Sequence, residues 1–204
     1  MQPSDFVTYS ALGCQVFVAE LYDDDTSEAL QAQLPYDFDV SSCKSENRRR
    51  ELLGIRLMLC LLFGDDARLE YDDNRPRLVV SSHPTPHISL THSHGILAVA
   101  VNYNVHIGVD LEVFGKKIAR VRERFLSTYE LEHQTDDDGR LTKAHLSWTL
   151  KESLYKIVGD PVYHFRQKIE ISPDFSNVWA LGHIYPAHCW TTDRYALSIV
   201  TDLQ

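Results

Sequence analysis

The fold of this chain depends most on one stretch, residues 148–156, which reads Trp148-Thr149-Leu150-Lys151-Glu152-Ser153-Leu154-Tyr155-Lys156. Thr142 can cap a helix before this stretch and Gly159 can end it afterwards, so we predict a helix over residues 142–158. At about 100° per residue, its aliphatic side chains fall on one side. Trp148, Glu152 and Lys156 form a stripe on the other side, and Lys151 projects from the opposite flank of Trp148.

This charged stripe has two interpretations. The first is an exposed face carrying a Glu152–Lys156 pair, which contributes a few tenths of a kcal/mol. The second is a site covered by another element or a ligand. The large Trp148 side chain in the same stripe favours the second interpretation.

A second acidic motif lies upstream in the run Gly108-Val109-Asp110-Leu111-Glu112. In a strand, Asp110 and Glu112 leave the same face with their Cα atoms roughly 7 Å apart. Such carboxylates repel each other unless a cation or basic groups compensate them, and Mg²⁺ prefers oxygen ligands of this kind. The alternative is that both side chains face water on an edge strand.

The histidines of Thr91-His92-Ser93-His94 form a third candidate element. In an extended segment, His92 and His94 share a face and could bind a transition metal with Asp110 as a third ligand. Two further readings remain open: a histidine satisfied by the backbone, and a histidine that donates a hydrogen bond to a phosphate.

The remaining pattern indicates an α+β fold with two similar halves, divided near residue 104. Residues 45–63 and 142–158 each predict a long helix, and short helices are expected at 120–125 and 128–133. Residues 65–87 and the acidic segment 135–139 read as loops. Strands are expected at 14–20, 87–91, 96–101, 105–113, 169–172, 178–184 and 195–200, with 105–113 returning as the second strand of a hairpin.

Composition limits the possible functions. The chain has 204 residues and a net charge of −9, whereas a nucleic-acid-binding protein is expected to be basic. No apolar run approaches the roughly 20 residues of a membrane helix, and no secretory signal is recognisable. The four scattered cysteines predict reduced thiols in a cytoplasmic protein. Two basic clusters could meet an anionic ligand or lie on solvated helix surfaces: Arg48, Arg49, Arg50 and Arg56, and Arg120, Arg122 and Arg124.

Taken together, these motifs resemble the 4′-phosphopantetheinyl transferase superfamily, in its larger single-chain type related to the surfactin synthetase activator. The family's Gly-hydrophobic-Asp-hydrophobic-Glu run is similar to residues 108–112, and its Trp-Ser-x-Lys-Glu run is similar to residues 148–156. Further similar stretches are Arg50 before Leu52-Leu53-Gly54, Asn74-Arg75-Pro76, Thr91-His92-Ser93 and Phe125 to Glu130. Thr91 replaces the family's serine, and Asn74-Arg75 replaces its Gly-Lys.

The resemblance implies two halves in a pseudo-twofold arrangement, residues 1–104 and 105–204, with the active site at their interface. It implies transfer of the phosphopantetheine arm of coenzyme A to a serine of an apo acyl or peptidyl carrier protein. By resemblance, Asp110, Glu112 and Glu152 hold Mg²⁺, and Glu152 and Lys156 are catalytic. The implied contacts to coenzyme A are Arg50, at its 3′-phosphate, and Arg75, Thr91, His92, Lys151 and Lys156.

Two other functions remain as alternatives. One is a non-catalytic relative that binds coenzyme A or a carrier protein, and the other is a transition-metal hydrolase built on the two histidines. For the transferase, the partners expected are coenzyme A and an acidic carrier, without nucleic acid or membrane. Because two halves lie in one chain, we expect a monomer.

Overall fold

A computed structural model describes residues 1–81, 84–133, 141–159 and 165–203. The chain divides into two compact units, Met1–Asn104 and Val105–Gln204. Each unit combines helices with an antiparallel sheet, which confirms the α+β class. In the described part of the chain, no helix is long and apolar enough to cross a membrane.

The first unit is built around a four-stranded sheet in the order β1-β2-β6-β5. A 3₁₀ helix at Pro3–Asp5 precedes the strands. The helices are α1 (Ser27–Gln33) and α2 (Glu46–Phe63), and the strands are β1 (Val7–Ala11), β2 (Cys14–Glu20), β3 (Arg68–Asp72), β4 (Arg75–Val79), β5 (His87–Ser93) and β6 (Ile96–Asn102). The predictions of a strand at 14–20 and of a helix ending at Phe63 are confirmed.

The segment between α2 and β5, for which the sequence predicts only loop, contains two strands. Strands β3 and β4 pair as a separate hairpin, which turns at Asp73 and Asn74. Both turn residues have positive φ, 45° and 64°, as a two-residue hairpin turn requires. The polar composition of this segment concealed the hairpin, because most of its side chains are exposed.

The predicted hairpin between 96–101 and 105–113 is wrong. Strand β6 has β2 on one edge and β5 on the other, so neither edge is open for a further strand. Its hairpin partner is β5, through a turn at His94 and Gly95. Strand β7 (Ile107–Val113) pairs instead with β11 (Tyr195–Thr201), far along the chain.

The second unit contains a five-stranded sheet in the order β7-β11-β10-β9-β8. Its helices are α3 (Lys116–Phe125), α4 (Thr128–His133), α5 (Thr142–Val158) and α6 (Phe165–Lys168), and its other strands are β8 (Ile169–Ile171), β9 (Asn177–Ala180) and β10 (His183–Thr191). The predicted strand 178–184 is two strands, because the chain turns at Leu181 and Gly182. The acidic segment 135–139 lies outside the described residues.

Helix α5 has the predicted bounds, but Thr142 is its first residue and not its cap. The cap position belongs to Leu141, whose backbone is left-handed. The aliphatic face that includes Leu150, Leu154 and Ile157 is buried against β8–β11. Because ten of its 17 residues are buried, α5 is the central helix of this unit.

Candidate active site

A close approach between β7 and α5 brings the two acidic motifs together. Gly108 lies so near α5 that a Cβ atom at this position would stand 1.8 Å from the backbone oxygen of Ser153. Only glycine allows the strand and helix to lie this close. Because side chains alternate along a strand, Asp110 and Glu112 leave the same face as Gly108 and therefore face α5.

Lys156 links the helix to this strand directly. Its Nζ donates to Asp110 Oδ1 at 2.8 Å and to the Val109 carbonyl at 2.7 Å. The Asp110 side chain is only 11% exposed, whereas that of Lys156 is 29% exposed. Strand β7 is indeed an edge strand, but Asp110 does not face water.

Glu152 lies within the same group of charges. The pKa of its carboxyl is raised from 4.5 to about 7, first by burial and then by the negative charge of Asp110. Glu112 raises this pKa further, and Lys156 and Lys117 partly oppose the rise. Burial is the largest cause of this rise. Among the neighbouring charges, Asp110 has a larger effect than Lys156 and Glu112 a larger effect than Lys117, so these charges together favour a cation beside Glu152.

This group of side chains suits a hard cation in its chemistry. Asp110, Glu112 and Glu152 offer carboxylate oxygens, the donors that Mg²⁺ takes in proteins. Within the described ranges, no three His, Cys, Asp or Glu side chains already stand close enough to hold a metal ion. Ligation by all three carboxylates therefore requires their side chains to move.

The predicted contact between Lys151 and a cofactor does not agree with the structure. Lys151 is completely buried, and its Nζ donates to Glu130 Oε2 at 2.7 Å, Phe125 O at 2.8 Å and Ile169 O at 3.1 Å. An ammonium group enclosed in this way has no surface to offer a ligand. Lys151 therefore differs from its neighbour Glu152, which is only partly buried and can face a ligand.

In the first unit, His92 joins two charged residues of α2. Its Nδ1 lies 3.1 Å from Glu51 Oε2, and its Nε2 contacts Arg48 Nη1. Since a guanidinium group can only donate, Nε2 is the acceptor and Nδ1 carries the proton toward Glu51. Burial raises the pKa of Glu51, but the hydrogen bonds and charges of His92 and Arg48 bring it below its ordinary value.

The sequence did not indicate this three-residue group. Arg48 was only one member of a basic run, and Glu51 was not a candidate at all. One signal was available: Arg48 and Glu51 are three residues apart, so they share a face of α2. Which residue of another element that face would meet could not be read from the sequence.

The other predicted contacts of the first unit are dispersed. Arg50 donates to two backbone carbonyls, those of Tyr22 and Asp25, so its guanidinium group serves the local structure. Arg75 is exposed at the start of β4. Thr91 is buried and leaves β5 on the face opposite to His92. Arg56 is also buried, with its guanidinium group over the Phe38 ring, and does not belong to a surface cluster.

The predicted shared face of His92 and His94 is wrong. Strand β5 ends at Ser93, and His94 adopts a left-handed backbone with φ of 50° in the turn that follows. Its Nδ1 lies 3.1 Å from Ser93 Oγ. This geometry argues against the transition-metal hydrolase, because the two imidazoles do not leave one strand face together.

Comparison with known families gives one finding for the second unit. Residues 106–200, which include β7, α5 and all but the last residue of β11, match the family model described as the 4′-phosphopantetheinyl transferase superfamily. A search of curated proteins found no match.

Proposed function

We propose that this protein moves the phosphopantetheine arm of coenzyme A to a serine of an apo carrier protein, because residues 106–200 match the model of the 4′-phosphopantetheinyl transferase superfamily. The domain supports phosphopantetheine transfer in general. Our proposal adds the dependence on Mg²⁺, an acyl or peptidyl carrier as the acceptor, and a role for each residue of the site.

The observation that carries the proposal is the convergence of two acidic motifs and one lysine on β7 and α5. Asp110, Glu112 and Glu152 would hold Mg²⁺, because they provide oxygen donors and an excess of negative charge. When bound there, Mg²⁺ would offset the negative charge on the pyrophosphate of coenzyme A.

Lys156 is suited to contact the same phosphates. Its ammonium group is held beside Asp110, and more than a quarter of its side chain remains exposed. A fixed positive charge stabilises the oxygens of a phosphoryl group as charge builds on them. We therefore assign Lys156 to the phosphates and not to the carrier protein.

Glu152, or a water molecule that it orients, would take the proton of the attacking serine. Without metal the pKa of this carboxyl is about 7, so it is ionised in part at neutral pH, and the positive charge of Mg²⁺ would favour the ionised form that accepts a proton. The serine oxygen forms a bond to the phosphorus next to the pantetheine arm. The bond from that phosphorus to the departing 3′,5′-ADP breaks.

For the remainder of coenzyme A, we assign Arg48 and His92 to a phosphate and retain Arg75 as a contact. Arg48 is exposed, so its guanidinium group can reach an anion, and His92, whose ring nitrogens engage Arg48 and Glu51, can join it only by giving up one of these contacts. Arg50 is the weaker candidate for the 3′-phosphate, because two carbonyls already engage it. That both units contribute to one active site stays a prediction, as do the monomeric state and the cytoplasmic location.

The acceptor is expected to be acidic. Helix α3 exposes the cations Lys116, Lys117, Arg120, Arg122 and Arg124, and only one acidic residue, Glu123. In a protein of net charge −9, this face is a local exception that can attract an anionic partner.

The test compares the wild type with Glu152→Gln and with Glu132→Gln, an exposed control outside α3 that makes the same change of charge. Each protein is incubated with coenzyme A, Mg²⁺ and several apo carriers, and release of 3′,5′-ADP is followed. We expect release with the wild type and the control, and a loss of at least about 100-fold with Glu152→Gln. Calorimetric binding of coenzyme A without any release would instead support the non-catalytic alternative.

A further inference from the structure

Lys151 and Glu130 form a buried ion pair that no part of the proposed reaction uses. Both side chains are almost fully enclosed, with 0% and 1% exposure, and their charged atoms are 2.7 Å apart. Three hydrogen bonds join the lysine Nζ to oxygen atoms of described residues, and each uses an N–H donor of the ammonium group. This pair therefore has a defined geometry.

The partners of Lys151 belong to different elements of the second unit. Phe125 O is at the C-terminal end of α3, Glu130 is in the first turn of α4, and Ile169 O begins β8. A cation at the end of α3 also stabilises carbonyls that lack a helical partner. Through one ammonium group, α5 thus fixes the end of α3, the start of α4 and the start of β8.

Stability alone does not explain this pair well. Glu130 Oε2 accepts from Lys151 and from the backbone N–H of Ser127, but Oε1 is buried without a hydrogen-bond partner among the described residues. Burial also lowers the pKa of Lys151, and Glu130 only partly opposes this effect. Buried ion pairs are often no more stabilising than apolar residues of the same size, so their benefit can lie in geometry.

The position of the pair suggests which geometry matters. Lys151 directly precedes Glu152, and α3 presents the exposed cations named above. We propose that Lys151, held by Glu130, is a positioning residue that sets the basic face of α3 relative to Glu152 and thereby determines affinity for the acidic carrier. This inference rests on the proposed transferase function.

The kinetic test uses Lys151→Met, with Lys143→Met as a control on the exposed side of the same helix. For Lys151→Met we expect the KM for the carrier to rise by about tenfold, equivalent to 1.4 kcal/mol, with the KM for coenzyme A unchanged. The rise in KM should shrink at high salt, where contacts between exposed charges are screened. A purely structural role would lower the active fraction and leave the carrier KM unchanged, which would overturn the proposal.

A double-mutant cycle shows whether Lys151 acts through the arginines of α3. Arg122→Gln alone should also raise the carrier KM, and the effects of Lys151→Met and Arg122→Gln together should be smaller than their sum. Fully additive effects would contradict the proposal. If Lys151→Met does not fold, Glu130→Gln removes the negative charge of the pair while retaining an oxygen acceptor for Lys151 and takes its place in the cycle.

Hydrogen exchange provides a readout that needs no activity. Amides of residues 116–125 should exchange faster in Lys151→Met than in Lys143→Met, while those of β10 and β11 should not differ. Unchanged exchange in α3 would refute the positioning role even if the wild type transfers phosphopantetheine. If α3 exchanges faster but the wild type transfers no phosphopantetheine, the proposed function is refuted, and so is the effect of Lys151 on carrier affinity. The link from Lys151 to α3 would still hold.

Discussion

Replacing Glu152 by glutamine should make the metal-free protein more stable above neutral pH, although it removes a residue of the proposed site. In the folded protein the pKa of Glu152 is about 7, compared with an ordinary value of 4.5. Ionising the carboxyl in the folded state therefore costs about 3 kcal/mol, at 1.36 kcal/mol per pKa unit. Glutamine has nearly the same shape and avoids this cost.

The sign of the pH dependence follows from the raised pKa. Between pH 4.5 and 7 the folded state binds more protons at this site than the unfolded state, so its stability falls as the pH rises through that window. The cost is absent below pH 4.5 and fully present above pH 7. The variant should therefore gain about 3 kcal/mol over the wild type at pH 8 and much less at pH 5.

Urea unfolding in the presence of EDTA measures this difference. All three tryptophans of the chain, Trp148, Trp179 and Trp190, lie in the second unit, so their fluorescence reports on the unit that contains Glu152. Glu123→Gln is the control and should change stability little at either pH. A Glu152→Gln variant that is no more stable than the wild type at pH 8 would refute the raised pKa of Glu152.

Three further predictions concern the same structure. Mg²⁺ should raise the melting temperature of the wild type at pH 8 and have a smaller effect on Glu152→Gln, as scanning calorimetry would show; equal shifts would contradict metal binding by Glu152. Gly108→Ala should destabilise the protein by at least about 3 kcal/mol in urea unfolding, because its Cβ would overlap the backbone of α5; near-normal stability would rule out the close contact. Arg48→Ala should reduce the preference for coenzyme A over dephospho-coenzyme A, measured as the ratio of their kcat/KM values. Arg50→Ala should reduce this ratio less. A larger reduction with Arg50→Ala would instead identify Arg50 as the 3′-phosphate contact.

Local sequence patterns predicted the helices that carry the site, because end signals and helical spacing involve only residues close together in sequence. Gly159 ends α5 in a left-handed conformation, as expected for glycine after a helix. The stripe of Trp148, Glu152 and Lys156 is partly exposed on a helix with ten buried residues, as helical spacing indicated. These features required no knowledge of distant segments.

Other features depended on partners distant in sequence and could not be predicted. Strand β7 pairs with β11, about 90 residues away, because both edges of β6 are already occupied. The family resemblance implied that Lys151 contacts a cofactor. Its actual partner, Glu130, lies 21 residues upstream, so the local sequence did not reveal this ion pair. The choice between Arg48 and Arg50 depended on which side of α2 meets β5, and the helix pattern alone does not specify this.

Intact-mass spectrometry of an apo carrier protein tests the central claim most directly. The carrier is incubated with this protein, coenzyme A and Mg²⁺, and a matched carrier whose acceptor serine is replaced by alanine serves as the control. We predict that the first carrier gains the mass of one phosphopantetheine group and that the second gains none. A folded, magnesium-saturated protein that adds no mass to any acyl or peptidyl carrier of a broad panel would contradict the account.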